Sequence, residues 1–304
     1  MRIAFVTAEG DQILYEDVDR PFHEASFVER GVELDYRFWT DPDVDWRTYD
    51  LVVIRSTWDY ATKRDQFIDW LDSVAHLPTL ENPAELIRWN LDKNYLLELG
   101  ECGVAIVETT ISGDLATIRE AIYGCSASEV VVKPAVSAGS RLTGWFERTD
   151  PAAVDLAEEI LAEGGTVMVE PFVTSVASVG EVSLVYFDGV LSHSLRKGPL
   201  LERGGRLLGG EYTEVITAHE PTQAELELGE QARLAVEVIA RRNGRLPEGA
   251  SLLYARYDIV ELDDGSPALI EAELFEPSLF VGVSTGAADR FTDVCVERAR
   301  NRMT

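Results

Sequence analysis

The amino-acid sequence predicts an α/β protein that starts with a parallel βαβ unit and continues as an α+β arrangement with antiparallel strands. Over the first 80 residues, short apolar runs alternate with helical spacing, which is typical of a parallel sheet covered by helices. Further along, two apolar runs flank Asp188-Gly189, a strong signal for an antiparallel hairpin. The chain of 304 residues is long enough for two or three packed lobes.

The composition is that of an ordinary soluble protein with a large excess of acidic residues. The chain is 46% hydrophobic and 27% charged, and 54 Asp and Glu residues against 27 Lys and Arg give a net charge of −27. A field of this sign repels nucleic acid and anionic membranes, so neither is expected as a partner. A site for an anionic ligand must then depend on a few well-placed cations.

The three cysteines, Cys102, Cys125 and Cys295, are scattered and lack the spacing of a metal site. This favours a reduced, cytoplasmic protein. Separately, the chain could form a homo-oligomer. The apolar run at the N-terminus is too short for a signal peptide, and no segment reaches the roughly 18 apolar residues of a membrane span.

The first lobe is predicted to span residues 1–80. Its strands are expected at 3–7, 32–38 and 51–55, and its helices at 21–30 and 64–77. Because open parallel sheets bind ligands beyond the carboxyl ends of their strands, the segment that follows the third strand is a candidate substrate site.

That segment is Arg55-Ser56-Thr57-Trp58-Asp59-Tyr60. It offers a cation for a carboxylate, two hydroxyls, aromatic walls and an acid for an ammonium group, which together match a zwitterion. We therefore expect it to bind an amino-acid substrate and not a nucleotide. The alternative is that Trp58 and Tyr60 pack between lobes.

A middle lobe is predicted for residues 81–173 and a last lobe for residues 174–304. In the middle lobe we expect helices at 90–99 and 152–162 and strands at 104–109, 129–134 and 166–173. In the last lobe we expect strands at 181–187, 190–197, 252–260 and 268–274, and helices at 222–243 and from 288. Paired glycines from Gly204 to Gly210 predict a mobile loop, a candidate lid.

Three carboxylates form the sharpest chemical feature of the sequence. Asp258 lies in a largely apolar strand, and Glu271 and Glu273 lie two apart on its hairpin partner, so all three can face one point. A hard cation such as Mg²⁺ would resolve their mutual repulsion. Arg256, two residues from Asp258, suits an oxyanion or phosphoryl group. The alternative for the three carboxylates is that they lie on a solvated face of the hairpin. The alternative for Arg256 is a salt bridge that neutralises the same carboxylates.

Three lysines and one acidic segment are further candidates. Lys133 ends the apolar strand 129–134 next to the small-residue loop Ala135-Val136-Ser137-Ala138-Gly139-Ser140, whose backbone N–H groups could approach phosphate. Lys93 and Lys197 are weaker candidates, and each of the three could be an ordinary surface lysine. The segment Glu170-Pro171-Phe172-Val173 could be a hinge between lobes that holds a purine. The alternative is that it is only the end of a strand leading into a loop.

The order of these motifs resembles the ATP-grasp superfamily over residues 80–285. The ordered set is Asp92-Lys93, the V-V-K-P strand with its small loop, the acidic segment 170–173, Gly180-Glu181, R-x-D at 256–258 and E-x-E at 271–273. The pattern is most similar to glutathione synthetase, D-alanine–D-alanine ligase and the ribosomal-protein glutamate ligases.

This resemblance implies an ATP-grasp fold with a Rossmann-like pre-ATP domain, and a ligase that uses ATP and Mg²⁺ to activate a small carboxylate as an acyl phosphate. Residues implied at ATP are Lys93, Lys133, Ser137, Ala138, Gly139, Ser140, Glu170, Pro171, Phe172, Val173 and Glu181. Those implied at Mg²⁺ are Asp258, Glu271 and Glu273, with Arg256 and Lys197 as catalytic cations. Two positions depart from the family pattern: Glu273 replaces a common Asn, and Ser183 replaces a substrate-binding Arg.

A narrower resemblance is to the cyclo-ligases that close O-ureidoserine to cycloserine. The segments that carry it are 56–60, 137–140 and Glu276-Pro277-Ser278-Leu279-Phe280, which implies Glu276 and Ser278 as further substrate contacts. The alternatives are an intermolecular carboxylate–amine ligase and a small-molecule kinase on the same fold. A third alternative is a nucleotide-binding protein without turnover. The intact lysines and carboxylates argue against it.

Overall fold

Three main sheets with helices packed on them make up the protein. The computed structural model describes residues 1–9, 17–137, 141–199, 201–202, 206–207 and 214–302. The predicted loop residues Ala138, Gly139 and Ser140, and the glycines of the candidate lid from Gly204 to Gly210, lie outside these residues. Within the described part of the chain, no helix is both long and apolar enough to cross a membrane.

The N-terminal sheet is parallel, as predicted. Its elements are β1 (Arg2–Thr7), α1 (Arg20–Glu29), β2 (Glu33–Phe38), β3 (Leu51–Ser56), α2 (Arg64–Val74) and β4 (Leu80–Glu81). The strand order is β2-β1-β3-β4, with β1 and β3 fully buried except at the first residue of β1. After α1 the chain turns at Gly31, whose φ of +65° suits glycine. Helix α2 ends at Val74, three residues before the predicted end.

Two short helices replace the single helix predicted for residues 90–99. They are α3 (Ala84–Asn90) and α4 (Tyr95–Glu101). Between them the Lys93 backbone N–H donates to the Ala135 carbonyl oxygen at 2.9 Å, and the Asp92 side chain accepts from the Asn94 N–H at 3.0 Å. Both bonds compete with helical i to i−4 bonding, so the prediction was wrong across this connector.

The central sheet is antiparallel, in the order β5-β8-β6-β7. Its elements are β5 (Thr110–Ser112), α5 (Leu115–Gly124), β6 (Glu129–Pro134), β7 (Gly144–Glu147), α6 (Pro151–Ala162) and β8 (Val167–Pro171), followed by α7 (Thr174–Ser178). The strand predicted at 104–109 is wrong: Ile106 makes an isolated bridge to Leu269, and the strand begins at Thr110. Helix α5 and strand β7 were not predicted.

The C-terminal sheet has the order β13-β10-β9-β14-β15 and is antiparallel. Its strands are β9 (Glu181–Phe187), β10 (Val190–Lys197), β13 (Ile216–Ala218), β14 (Tyr254–Glu261) and β15 (Pro267–Glu273), and β11 (Leu201–Glu202) pairs with β12 (Arg206–Leu207). The helices are α8 (Gln223–Arg242), which starts at a Thr222–Glu225 capping box, and α9 (Ala287–Arg302). The predicted hairpins at 181–197 and 252–274 are confirmed.

Candidate active site

A cleft between the central and C-terminal sheets contains most of the predicted site residues. Those that line it are Trp58, Lys93, Lys133, Ser137, Glu170, Pro171, Phe172, Val173, Glu181, Lys197, Arg256, Glu271, Glu273, Glu276 and Ser278. They come from β6, β8 and the α3–α4 connector on one side, and from β9, β10, β14 and β15 on the other. Asp258 is fully buried behind this surface.

The pairing of β14 with β15 brings the three carboxylates together. Asp258 lies opposite Glu271 in the register, and oxygens of Asp258, Glu271 and Glu273 all lie within 4.8 Å of one another. Three anionic groups this close repel one another unless a cation neutralises them. Their oxygen-only donor set suits Mg²⁺, which prefers a few carboxylates together with phosphate oxygens.

Asp258 is held by three side chains. Arg256 donates to both of its carboxylate oxygens at 2.9 Å, Lys197 Nζ lies 2.8 Å from Oδ2, and the Ser183 hydroxyl donates to Oδ1 at 2.7 Å. Burial raises the pKa of Asp258, but Arg256 and Lys197 lower it more, so the carboxylate is ionised. Ser183 is fully buried. Its hydroxyl orients the Asp258 carboxylate.

Glu271 and Glu273 have different electrostatic surroundings. Lys93 Nζ lies 3.0 Å from Glu271 Oε1, and Lys93 and Lys133 lower the pKa of Glu271 although burial raises it. Glu273 forms an ion pair with Arg256. Burial, with Glu276 and Glu271 nearby, nevertheless raises the pKa of Glu273 well above its usual value. Glu273 is therefore the member of the cluster that most needs an added cation to be ionised.

Lysines are concentrated in the cleft. The sequence has four, Lys63, Lys93, Lys133 and Lys197, and the last three line it. Burial lowers the pKa of Lys133, but Glu170, whose Oε2 lies 2.8 Å from Nζ, and Glu271 raise it overall. In a chain of net charge −27, this concentration of cations points to an anionic ligand.

Lys197 bridges Glu181, which lines the cleft, and the buried Asp258. Its Nζ lies 2.7 Å from Glu181 Oε2 as well as 2.8 Å from Asp258. These partners raise the pKa of Lys197 well above its usual value despite its burial. Glu214 also lines the cleft, and burial raises the pKa of its carboxyl group. The sequence offered no signal for Glu214, which follows the glycine-rich stretch and lies outside any motif.

The acidic segment at the end of β8 forms the wall opposite the carboxylates. Glu170 accepts from the Thr109 hydroxyl at 3.1 Å, in addition to its ion pair with Lys133. The Phe172 ring stacks on Trp145, with ring centroids 3.8 Å apart and planes 9° apart. Trp145 was missed because β7 was not predicted, although the two adjacent aromatic residues Trp145 and Phe146 were the available signal for a strand. The result is a flat aromatic wall beside an acidic side chain.

The segment 55–60 is mostly structural, which corrects the prediction that it binds the substrate as a whole. Arg55 is fully buried, donates to the Pro277 carbonyl oxygen at 2.9 Å and pairs with Asp19. Asp59, 4% exposed, accepts from Trp39 Nε1 at 2.7 Å and from Lys63 at 2.9 Å. Neither side chain is among those that line the cleft.

Tyr60 packs against Phe275, with ring centroids 5.3 Å apart, as the alternative hypothesis of packing between lobes expected for this residue. Ser56 and Thr57 are buried, and the buried Tyr60 hydroxyl lies 3.5 Å from the Ser137 carbonyl oxygen. Only Trp58 of this segment lines the cleft, and its Nε1 donates to the Glu276 carbonyl oxygen at 2.9 Å.

Glu276 and Ser278 both reach the cleft, next to Trp58. Burial and the neighbouring Glu271 raise the pKa of Glu276 to about 7, against a hydrogen bond from Tyr60 that lowers it. A buried carboxyl group with this pKa is well suited to a cationic ligand, because an ammonium beside it favours the ionised form.

Comparison with known proteins gives consistent relatives. Residues 3–82 match the family described as D-cycloserine synthetase DcsG, N-terminal domain. The cycloserine biosynthesis protein DcsG of Streptomyces lavendulae is 34% identical over 281 residues, which is 89% of this chain and 90% of that protein.

Solved structures show the same relationship. A crystal structure of D-cycloserine synthetase DcsG has a TM-score of 0.86 and 31% identity, and the match covers 98% of this chain and 100% of that chain. The D-alanine–D-alanine ligase from Bacillus anthracis has the same fold, with a TM-score of 0.68, 13% identity and coverage of 100% and 99%.

Proposed function

The chain belongs to the DcsG family of ATP-grasp ligases, and from this premise we propose that it closes O-ureidoserine to cycloserine at the expense of ATP. It is an ATP-dependent ligase with three lobes, residues 1–80, 81–173 and 174–304. ATP lies between the central and C-terminal sheets, and the amino acid approaches from the N-terminal lobe. The observation that carries this proposal is the cluster of three carboxylates faced by four cations in one cleft.

The nucleotide is held from both sheets. Lys93 and Lys133 bind its phosphates, and their convergence on the cleft supports this assignment. Ser137, the described residue of the small-residue loop 137–140, lines the cleft beside Lys93 and contacts the phosphates. Glu170 and the Val173 backbone bind the adenine amino edge, and Glu181 binds the ribose. The stacked pair of Trp145 and Phe172 provides an apolar wall for the base.

Asp258, Glu271 and Glu273 hold Mg²⁺, which neutralises phosphate charge when bound. Their spacing within 4.8 Å supports this role. The Lys93–Glu271 and Arg256–Glu273 ion pairs keep two of these side chains in place before the ligand arrives. A third carboxylate in place of the more common amide adds negative charge, which favours a divalent over a monovalent cation.

Catalysis depends on positioning and electrostatics. The substrate carboxylate attacks the γ-phosphorus, ADP leaves, and an acyl phosphate forms. Arg256 and Lys197 lie beside the carboxylate cluster, where they stabilise the charge on the transferred phosphoryl group and on the tetrahedral carbon's oxygen. The nitrogen bonded to oxygen in the ureido group then attacks the acyl carbon, and inorganic phosphate leaves.

The products follow from atom balance. Ring closure of O-ureidoserine leaves a carbamoyl group on the ring nitrogen, and water must remove it as carbamate for cycloserine to form. Carbamate decomposes to carbon dioxide and ammonia. On the enzyme, Glu276 binds the substrate ammonium and Ser278 contacts its polar chain, in keeping with their place beside Trp58 at the cleft.

The experiment is incubation with ATP, Mg²⁺ and O-ureidoserine, with each enantiomer and a panel of other amino acids run in parallel. The proposal expects cycloserine by mass spectrometry, with ADP, phosphate and ammonia in equal amounts. A dipeptide-like amide with phosphate but no ammonia would instead identify an intermolecular ligase. A phosphorylated substrate without free phosphate would identify a kinase.

A further inference from the structure

The loop 276–281 is bound along its backbone by side chains from the N-terminal part of the chain and from the C-terminal sheet. Its carbonyl oxygens accept one hydrogen bond each: from Trp58 at Glu276 (2.9 Å), from Arg55 at Pro277 (2.9 Å), from Arg256 at Ser278 (2.8 Å) and from His193 Nε2 at Leu279 (2.7 Å). The donors come from the N-terminal sheet and from β14 and β10. A loop held in this way has little freedom to adjust to its ligand.

The N–H groups of the same loop converge on one carboxylate. Asp19 is fully buried and accepts from the backbone N–H groups of Leu279 at 2.6 Å, Phe280 at 3.0 Å and Val281 at 2.7 Å. Phe280 has a φ of +49°, in the left-handed region. Such a backbone turns successive N–H groups toward a single anion, and it is unfavourable for a bulky residue unless its surroundings stabilise it.

Asp19 is also paired with Arg55, whose Nη2 lies 3.4 Å from Asp19 Oδ2. The two residues form one unit: Asp19 binds three N–H groups of the loop, and Arg55 binds its Pro277 carbonyl oxygen. Burial raises the pKa of Asp19, and Arg55 together with the N–H groups of Val281 and Leu279 counteracts this. The buried pair therefore binds loop backbone and not solvent.

Alternate side chains of the loop 276–281, here called the clamped loop, point at the cleft. Glu276, Ser278 and Phe280 line the cleft, while the groups bound to Asp19 and Arg55 are backbone atoms on the other side. The Arg256 guanidinium that binds the Ser278 carbonyl oxygen also binds Asp258 and Glu273. Because these two carboxylates also hold Arg256, a shift of the loop would move the amino-acid contacts Glu276 and Ser278 more than the carboxylate cluster.

We infer that Asp19, together with Arg55, is a positioning residue that sets the shape of the amino-acid subsite without touching the substrate. The identity of the ligand rests on the proposed function. The role of Asp19 in holding the loop 276–281 is independent of the proposed function, because it follows from the hydrogen bonds to the loop backbone. Neither residue would be found from a motif: their partners are backbone groups more than 200 residues away along the chain.

The test compares Asp19→Asn with Glu81→Gln. Glu81 is a matched control, since it is a buried acid of the N-terminal sheet, 3% exposed, and its ion-pair partners Arg298 and Arg302 belong to α9 and not to the loop 276–281. We expect Asp19→Asn to speed amide hydrogen exchange in the peptide 276–281, to raise the KM for O-ureidoserine about tenfold or more, and to leave ATP affinity within about twofold. We expect Glu81→Gln to lower stability without these changes.

The double variant Asp19→Asn/Arg55→Met removes both charges, which avoids leaving Arg55 buried without a partner. We expect it to regain melting temperature relative to Asp19→Asn while the KM for the amino acid stays high. Unchanged exchange and KM in Asp19→Asn, or a parallel loss of amino-acid and ATP binding, would overturn the inference. So would a normal KM in the double variant. If O-ureidoserine is not a substrate at all, the exchange measurement still decides the role of Asp19.

Discussion

The side-chain ammonium of Lys93 lies 3.0 Å from a carboxylate oxygen of Glu271, so the connector between α3 and α4 meets the edge strand of the C-terminal sheet. Side chains of α3 and α4 also bind the backbone of this edge. The Asn90 amide donates to the Ala272 carbonyl oxygen and accepts from the Leu274 N–H, and the Tyr95 hydroxyl accepts from the Ala272 N–H at 3.0 Å. The break in the helix thus places a phosphate-binding candidate directly against the proposed metal site.

We predict that Asp258→Asn and Glu271→Gln each lower kcat more than about 100-fold while the protein stays folded. Each change removes one of the three carboxylates that would hold Mg²⁺. Activity is measured over a range of Mg²⁺ concentrations, with circular dichroism as the check on folding. Near-normal turnover in either variant would remove the metal assignment. Glu261→Gln, an exposed acid on β14, is the control.

Lys133→Ala is expected to weaken ATP binding about tenfold or more, because a charge-assisted hydrogen bond contributes about 1.5–3 kcal/mol. Calorimetry with a non-hydrolysable ATP analogue measures this. Lys63→Ala is the matched control, since Lys63 is the remaining lysine of the sequence and is not among the residues that line the cleft. Equal affinities of Lys133→Ala and the wild type would show that Lys133 is only a strand-end residue.

Asp59→Asn and Glu276→Gln should behave differently. Asp59 is bound to Trp39 and Lys63, so its variant should lose roughly 1–3 kcal/mol of folding free energy and keep its KM for the amino acid. Glu276 lines the cleft, so its variant should raise that KM while the KM for ATP changes little. Steady-state kinetics and thermal melting separate the two. The opposite pattern would restore segment 55–60 as the substrate site.

Acid stability gives a further prediction, for His193. Burial lowers the pKa of His193 to about 4 from its ordinary value of 6.5, so the unfolded chain binds a proton at a higher pH than the folded protein does. Stability attributable to this group is present above about pH 6.5 and is lost as the pH falls toward 4. Between pH 7 and 5 the loss is about 2 kcal/mol.

His193→Gln can still donate to the Leu279 carbonyl oxygen that His193 binds, but it cannot take up a proton. Denaturant unfolding at both pH values should show a smaller acid loss in this variant than in the wild type. His76→Gln, at an exposed position, is the control. The same acid loss in wild type and His193→Gln would show that His193 titrates alike in the folded and unfolded chains.

Much of the fold was predictable because its signals are local. The buried strand 51–56, the Asp188-Gly189 hairpin and the capped helix α8 carry their own periodicity and turn residues. The carboxylate cluster was also predictable, since a two-residue spacing on hairpin strands fixes a common face. Strand β7 was harder, because it is four residues long and exposes its last residue.

The errors came from tertiary contacts that local patterns do not encode. The α3–α4 break depends on the Ala135 carbonyl oxygen, which is distant in sequence. Arg55 looked like a ligand-binding cation at a strand end, yet its carboxylate partner Asp19 comes from the residue before α1. A charged residue beyond a parallel strand can bind a ligand or another loop, and only the packing of the lobes decides which.

In the proposed reaction the substrate carboxylate is activated by phosphoryl transfer before ring closure. O-ureidoserine labelled with ¹⁸O in its carboxylate tests this order of steps, with mass analysis of the phosphate released in one turnover. Because the attacking carboxylate oxygen stays on phosphorus when the nitrogen displaces it, we predict one ¹⁸O atom in each phosphate and equal amounts of cycloserine and ADP. Unlabelled phosphate, or ADP without phosphate, would contradict carboxylate activation.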